Sequence, residues 1–156
     1  MQRKNDKNSF KKFDASNWRA GIVAARFNQD ITEALALSAR NLLKEYFLKE
    51  NNIDLIWVAG SVEIPLLLKT LAKTKKYDCL VAIGAIIRGE TPHFEYVAKA
   101  VTEGVMRVML DYEIPIGFGV LTCENLKQAR DRINVGANAA EAAIQSAKII
   151  RNFENI

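Results

Sequence analysis

The chain holds one histidine, two cysteines and three prolines in 156 residues, and each scarcity closes a class of function. With a single histidine, no cysteine cluster and acids too scattered to chelate, no metal-ligand spacing is present. Cys79 and Cys123 each sit in or at the end of an apolar run, far apart in sequence, and read as buried free thiols. The longest apolar run, Cys79 to Ile87, is too short to span a bilayer. The N-terminus has no apolar signal-peptide core, so a cytoplasmic location is expected, with no membrane partner. No Gly-x-Gly-x-x-Gly follows the first apolar run, which disfavours a dinucleotide cofactor. Positive charge is also scarce outside one end. Residues 1–16 carry five Lys or Arg against two Asp, which accounts for three of the net +4. The remainder is nearly neutral and has no basic stripe along a helix face, so a nucleic-acid partner is not expected.

What is present is an ordinary globular composition, 49% hydrophobic and 26% charged, enough for one buried core. The expected organisation is a flexible basic tail over 1–16 and a single domain over 17–156. Strands are predicted at Trp18 to Ala25, Ile53 to Ala59, Leu80 to Ile87 and Ile114 to Thr122. Between them lie helical patterns. The first opens at a capping-box-like Asp30 and Glu33 and carries Ile31, Leu35, Leu42 and Tyr46. The second follows Pro65, and the third runs from Pro92 to about Asp111 behind the cap residue Thr91. A short helix over Glu124 to Ile133 and a last one over Ala137 to Phe153 complete the chain. Alternating strands and helices imply parallel pairing with right-handed crossovers. The expected fold is an α/β three-layer αβα sandwich, flavodoxin-like, with a four-stranded parallel sheet in the order 2-1-3-4.

In such a sheet the turns after strands one, two and three share one edge. These turns are Phe27-Asn28, Gly60-Ser61-Val62-Glu63 and Arg88-Gly89-Glu90-Thr91-Pro92-His93. Phe27 offers a stacking face for a flat heterocycle, or a core aromatic. Glu63 offers an acceptor for hydroxyls, or a helix cap. Thr91 with the helix N–H groups offers a phosphate site, or a plain cap. His93 offers a general acid/base, or an ordinary surface histidine. Arg130 and Arg132 face roughly opposite sides of a helix, so at most one can reach an anion in the pocket. From the residues alone the expectation is a phosphorylated, partly aromatic substrate and proton transfer without a metal.

Four motifs occur in order: Arg26-Phe27-Asn28, Gly60 to Pro65, Gly84 to Tyr96, and Ile116-Gly-Phe-Gly-Val-Leu-Thr122. Together they resemble the 6,7-dimethyl-8-ribityllumazine synthase family, over about Trp18 to the C-terminus. The resemblance implies a transferase of riboflavin biosynthesis. Its substrates are 5-amino-6-(D-ribitylamino)uracil and 3,4-dihydroxy-2-butanone 4-phosphate, it releases phosphate and water, and it uses no cofactor. It implies that Phe27 stacks on the pyrimidine, with Asn28 beside it. Gly60, Ser61 and Glu63 then hold the ribityl chain and ring edge, helped by the backbone of Ile86 and Ile87. Gly89, Glu90 and Thr91 bind the phosphate with Arg132, favoured over Arg130 by alignment. His93 is the proton-transfer residue, and Glu141 matches a family site position. Phe118 matches the aromatic that reaches a neighbouring subunit's site, which implies a homo-oligomer, a pentamer or a multiple of pentamers, with sites at subunit interfaces. The segment Arg132 to Glu141 is shorter than in many members, and no Lys occurs from Gln128 to Ala147. That departure favours a non-catalytic flavin- or lumazine-binding oligomer over the enzyme, whereas His93 and Thr91 favour the enzyme. The long third motif argues against the related archaeal-type riboflavin synthase.

Overall fold

Each apolar run bounded by glycine or charge becomes a parallel strand. The structure, a computed structural model, describes residues 10–155. Its elements are β1 (Ala20–Ala25), α1 (Gln29–Glu45), β2 (Ile53–Val58), α2 (Ile64–Thr74), β3 (Cys79–Ile87), α3 (His93–Tyr112), β4 (Ile116–Cys123), α4 (Leu126–Arg130) and α5 (Val135–Glu154), with short 3₁₀ turns at Glu50–Asn52 and Ser61–Glu63. The sheet order is β2-β1-β3-β4, all parallel, as expected.

Strand β3 is buried on both faces because alternate side chains enter different cores. Cys79, Val81, Ile83 and Ala85 join α1 and α5, while Leu80, Ala82 and Ile86 join α2 and α3. The α1/α5 layer packs closely because α5 presents Ala139, Ala140, Ala143 and Ala147 to the core. At Gly136 the helices approach so closely that a methyl group would land on the Leu35 carbonyl. The break between the last two helices lies earlier than expected: α4 ends at Arg130 and α5 begins at Val135, with Gly136 inside it. Asn125 caps α4 by accepting from the Gln128 N–H (2.9 Å), and Gln128 Oε1 accepts from the Glu124 N–H in return (2.8 Å).

The boundary expected after residue 16 does not separate tail from core. Residues 1–9 of that expected tail lie outside the described residues. Residues 10–17 pack on the body: Phe13 meets Trp18 and Tyr46 with ring centroids 5.3 and 5.0 Å apart. Ala15 is fully buried, its N–H donating to the Tyr46 carbonyl. Lys12 pairs with Glu45 (3.1 Å) and Glu141 (3.3 Å). Isolated apolar residues in a polar stretch form no period, so sequence patterning does not reveal this strap.

Candidate active site

The three strand exits meet over one cleft of about 410 Å³. From β1 comes Phe27, 72% exposed, so its ring is a surface platform and not a core aromatic. From β2 come Gly60, Ser61, Val62 and Glu63. From β3 and the following loop come Ala85, Ile86, Ile87, Gly89 and Thr91, and from the first turn of α3 come His93, Phe94 and Val97.

Local chemistry explains each placement. The Gly60 N–H donates to Glu63 Oε2 (3.0 Å), folding the carboxylate back over its own turn while it still lines the cleft. Gly84 lets Ser61 sit against β3: a Cβ at that position would stand 2.7 Å from Ser61 Oγ. Helix α3 begins one residue later than expected, with Pro92 as its N-cap and His93 as its first residue. The Thr91 hydroxyl accepts weakly from the His93 N–H (3.5 Å). The N-terminal N–H groups of α3 thus open on the same side as Gly89 and Thr91, a ready anion cradle.

Among the described residues, the ionisable side chains lining the cleft are Glu63 and His93, and no Lys or Arg lines it. The nearest cation in the loop, Arg88, is already engaged. Its Nε donates to Glu124 (2.9 Å), its Nη1 to Glu95 (3.3 Å), and its guanidinium lies 4.5 Å from the centre of the Phe94 ring.

Five of the expected site residues do not line their own chain's cleft, and of these Phe118 was expected to serve a neighbouring copy's. Asn28 leaves the cleft and donates from Nδ2 to the Ala85 carbonyl (2.8 Å). Glu90 is exposed on the loop outside the lining. Phe118 sits on the free edge of β4, 40% exposed. Arg132 lies just beyond α4, donating from Nη1 to the Gln128 carbonyl (2.8 Å). It is close enough to Cys123, at the end of β4, to pull that thiol's pKa down against the larger upward push of burial. Glu141 accepts from the Tyr46 hydroxyl (3.1 Å) and pairs with Lys12, deep in the α1/α5 layer. Four lining residues escaped sequence reasoning as site residues: Val62, Ala85, Phe94 and Val97. All lie inside or just beyond quoted motifs, and their apolar character gave no chemical signal. Both cysteines are free and buried, and burial pushes the Cys79 thiol up to about 12. Among the described residues no three potential metal ligands cluster, and no helix is long and apolar enough to cross a membrane.

The profile of the 6,7-dimethyl-8-ribityllumazine synthase family matches residues 17–151. Proteins named 6,7-dimethyl-8-ribityllumazine synthase from two strains of Clostridium kluyveri are each 43% identical over 148 residues, covering 92% of this chain and 96% of the relative.

Proposed function

The chain belongs to the 6,7-dimethyl-8-ribityllumazine synthase family, and from that membership we propose how its cleft performs the family's reaction. The activity is that of a transferase in riboflavin biosynthesis: ribitylaminouracil and dihydroxybutanone phosphate condense to the lumazine. The observation that carries the assignment of roles is a cleft holding one aromatic platform, one acid/base group and one anion cradle.

Phe27 stacks on the pyrimidine, and Ser61, Glu63 and the backbone of Ile86 and Ile87 hold its polar edge and ribityl chain. Gly89, Thr91 and the N-terminus of α3 hold the phosphate. The 5-amino group attacks the ketone, and loss of water gives an imine. His93 then moves the proton from carbon as the C–O bond to phosphate breaks, a role typically worth about 10²–10⁴-fold. The departing phosphate is stabilised by N–H groups already aimed at it. Ring closure by the ribityl-bearing nitrogen and loss of a second water complete the product. Holding two reactants in one cleft supplies much of the remaining acceleration.

A dianionic phosphate also calls for a cation, and no Lys or Arg among the described residues lines this cleft. We assign that cation to Arg132 of a neighbouring copy, with Phe118 of the same copy closing the cleft. Support comes from Phe118 on the free edge of β4 and Arg132 just beyond α4, both outside their own chain's cleft. It also comes from the apolar groove beside that edge, about 500 Å³, lined by Leu110, Ile114, Pro115, Ile116 and Ile150 among others. The working unit is then a homo-oligomer, a pentamer or a multiple, acting in the cytoplasm.

The test mixes purified protein with both substrates and follows lumazine absorbance and phosphate release. Acceleration well above the uncatalysed rate is expected; none, with lumazine still bound, would establish a binding protein instead. Co-expressing His93→Ala with Arg132→Ala tests the shared site. Mixed oligomers should regain activity that neither variant has alone; no recovery sinks the shared-site assignment.

A further inference from the structure

Four non-glycine residues among the described ones adopt the left-handed backbone: Asn28, Phe47, Lys75 and Glu113. Three of these follow helix C-termini, where that conformation is a common way to end a helix. Asn28 alone precedes a helix. It occupies the N-cap position of α1 (φ 60°, ψ 49°), yet its side chain caps nothing. An asparagine at an N-cap usually accepts from the helix's own first turn. Here the amide is sent across the sheet edge to the Ala85 carbonyl instead.

The destination explains the diversion. The β1–β3 ladder ends at Ala24 opposite Ile83, but β3 continues against β4 as far as Ile87 opposite Cys123. Ala85, two residues beyond the last paired Ile83, turns its carbonyl toward the edge that β1 has vacated. The Asn28 amide supplies the donor that a longer β1 would have offered. On the other side, the Arg26 N–H donates to the Val58 carbonyl (2.8 Å) and the Phe27 N–H to the Ala59 carbonyl (3.2 Å). Phe27 is therefore held from both flanks: to β2 by main-chain bonds and to β3 by its neighbour's side chain. An aromatic ring that is mostly in solvent has little packing to orient it, so its backbone must be held for it.

We propose that Asn28 is a positioning residue of the reaction, setting the Phe27 platform and the Ala85–Ile87 edge at a fixed separation for the flat substrate. This rests on the reading of Phe27 as the pyrimidine platform. Asn28 does not itself line the cleft but acts through Phe27 and Ala85, which do, so its loss bears on the substrate they hold.

Asn28→Gly keeps the left-handed backbone and removes the bond. Asn28→Asp tolerates the backbone but turns a carboxylate toward the Ala85 carbonyl. Asn28→Ala loses both features. Steady-state kinetics of the purified full chain should show KM for ribitylaminouracil raised about fivefold in Asn28→Gly, as for one lost hydrogen bond. It should rise at least as much in Asn28→Asp and most in Asn28→Ala. KM for the butanone phosphate should stay within about twofold, because its cradle is built on the Gly89–Thr91 loop and not on the platform. Melting temperatures should fall by no more than about 2–4 °C in Asn28→Gly, the cost of one part-buried hydrogen bond, so the kinetics are read on folded protein. In a Phe27→Ala background the Asn28→Gly change should have no further effect on that KM, because the two act as one unit. Additive effects, equal shifts in both KM values, or an unchanged KM in Asn28→Gly would each overturn the proposal. If Phe27→Ala alone leaves the ribitylaminouracil KM unchanged, it is the platform reading that fails. A normal Phe27→Ala effect beside a silent Asn28→Gly removes only the positioning role. Should a variant fail to fold, calorimetric titration of Asn28→Asp with ribitylaminouracil alone decides the matter: weakened binding upholds the positioning role, and wild-type affinity overturns it.

Discussion

The two edges of the sheet are built on opposite plans. At the C-terminal edge the strands stop at different heights, and an aromatic ring, a histidine and a helix terminus are left open to solvent. At the N-terminal edge polar groups answer one another across the strands. The Arg19 N–H donates to Asp78 Oδ2 and the Asp78 N–H to the Arg19 carbonyl, both at 2.8 Å. Arg19 also pairs with Asp54 (2.9 Å), which accepts from the Tyr77 hydroxyl (2.6 Å). Arg151 of α5 binds Asp78 while lying 4.2 Å from the centre of the Trp18 ring. The Tyr77 hydroxyl, and after it Arg19, hold the Asp54 carboxyl below its usual range, and burial chiefly pushes the Tyr77 phenol up. Shifted titration here marks the sealed end of the sheet, where ion pairs serve the fold. Perturbed groups in a cleft suggest a functional site; Tyr77 does border a groove with Asp78 and Arg151, but its hydroxyl, like both charged groups, is spent on ion-pair partners within the fold.

This division can be broken from either side. The largest effect is expected at the open edge: His93→Ala should lower kcat by about 10²–10⁴-fold with an unchanged melting temperature, as measured by steady-state assay and thermal denaturation. A melting temperature that falls in step with activity would mean the open edge also bears stability. Next comes Arg132→Ala, which should raise KM for the butanone phosphate more than Arg130→Ala does. Arg130 sits 3.9 Å from Asp30 beside α1, and the reverse order would reassign the phosphate cation to it. At the sealed edge Asp54→Asn should cost about 1 kcal/mol, discounted for partial exposure. That is about 2–4 °C in melting temperature for a chain of this size, with kinetics intact. The smallest effect is in pH. The Asp54 pKa is lowered in the folded state, so its contribution is present above the ordinary carboxylate pKa of about 4 and disappears as pH falls further. Melting curves from about pH 3 to about pH 7 should show a shallower acid limb in Asp54→Asn than in wild type.

The sheet order and the three converging exits were legible because they depend on local signals: apolar runs, a proline near a helix start, glycine at a strand end. The strand boundaries shifted by a residue or two where no such punctuation exists. The start of α1 shows the limit. Asp30 and Glu33 read as a capping box, yet the helix starts at Gln29, whose side chain donates to Glu33 (2.8 Å), while Asn28 turns left-handed to reach β3. Nothing in the local sequence records a carbonyl 57 residues away. Glu141 is the same case: its partners Tyr46 and Lys12 lie 95 and 129 residues distant. Contacts of that span are fixed by the packing of α1 on α5, and they become visible only once the layers are assembled.

The unequal strand lengths have a further consequence. From Ile83 to Ile87, β3 rises about 13 Å above the last rung it shares with β1. Strand β2 stops level with β1, Val58 opposite Ala25, so β3 stands above both and walls the cleft on one side. The cleft therefore owes its depth on that side to the ladder that β3 shares with β4 as far as Ile87, which cannot be tuned one side chain at a time. Substitutions along its walls can change how a guest is gripped or which chemistry it meets. Making it shallower would require unzipping β3 from β4, so that depth is written into the backbone itself.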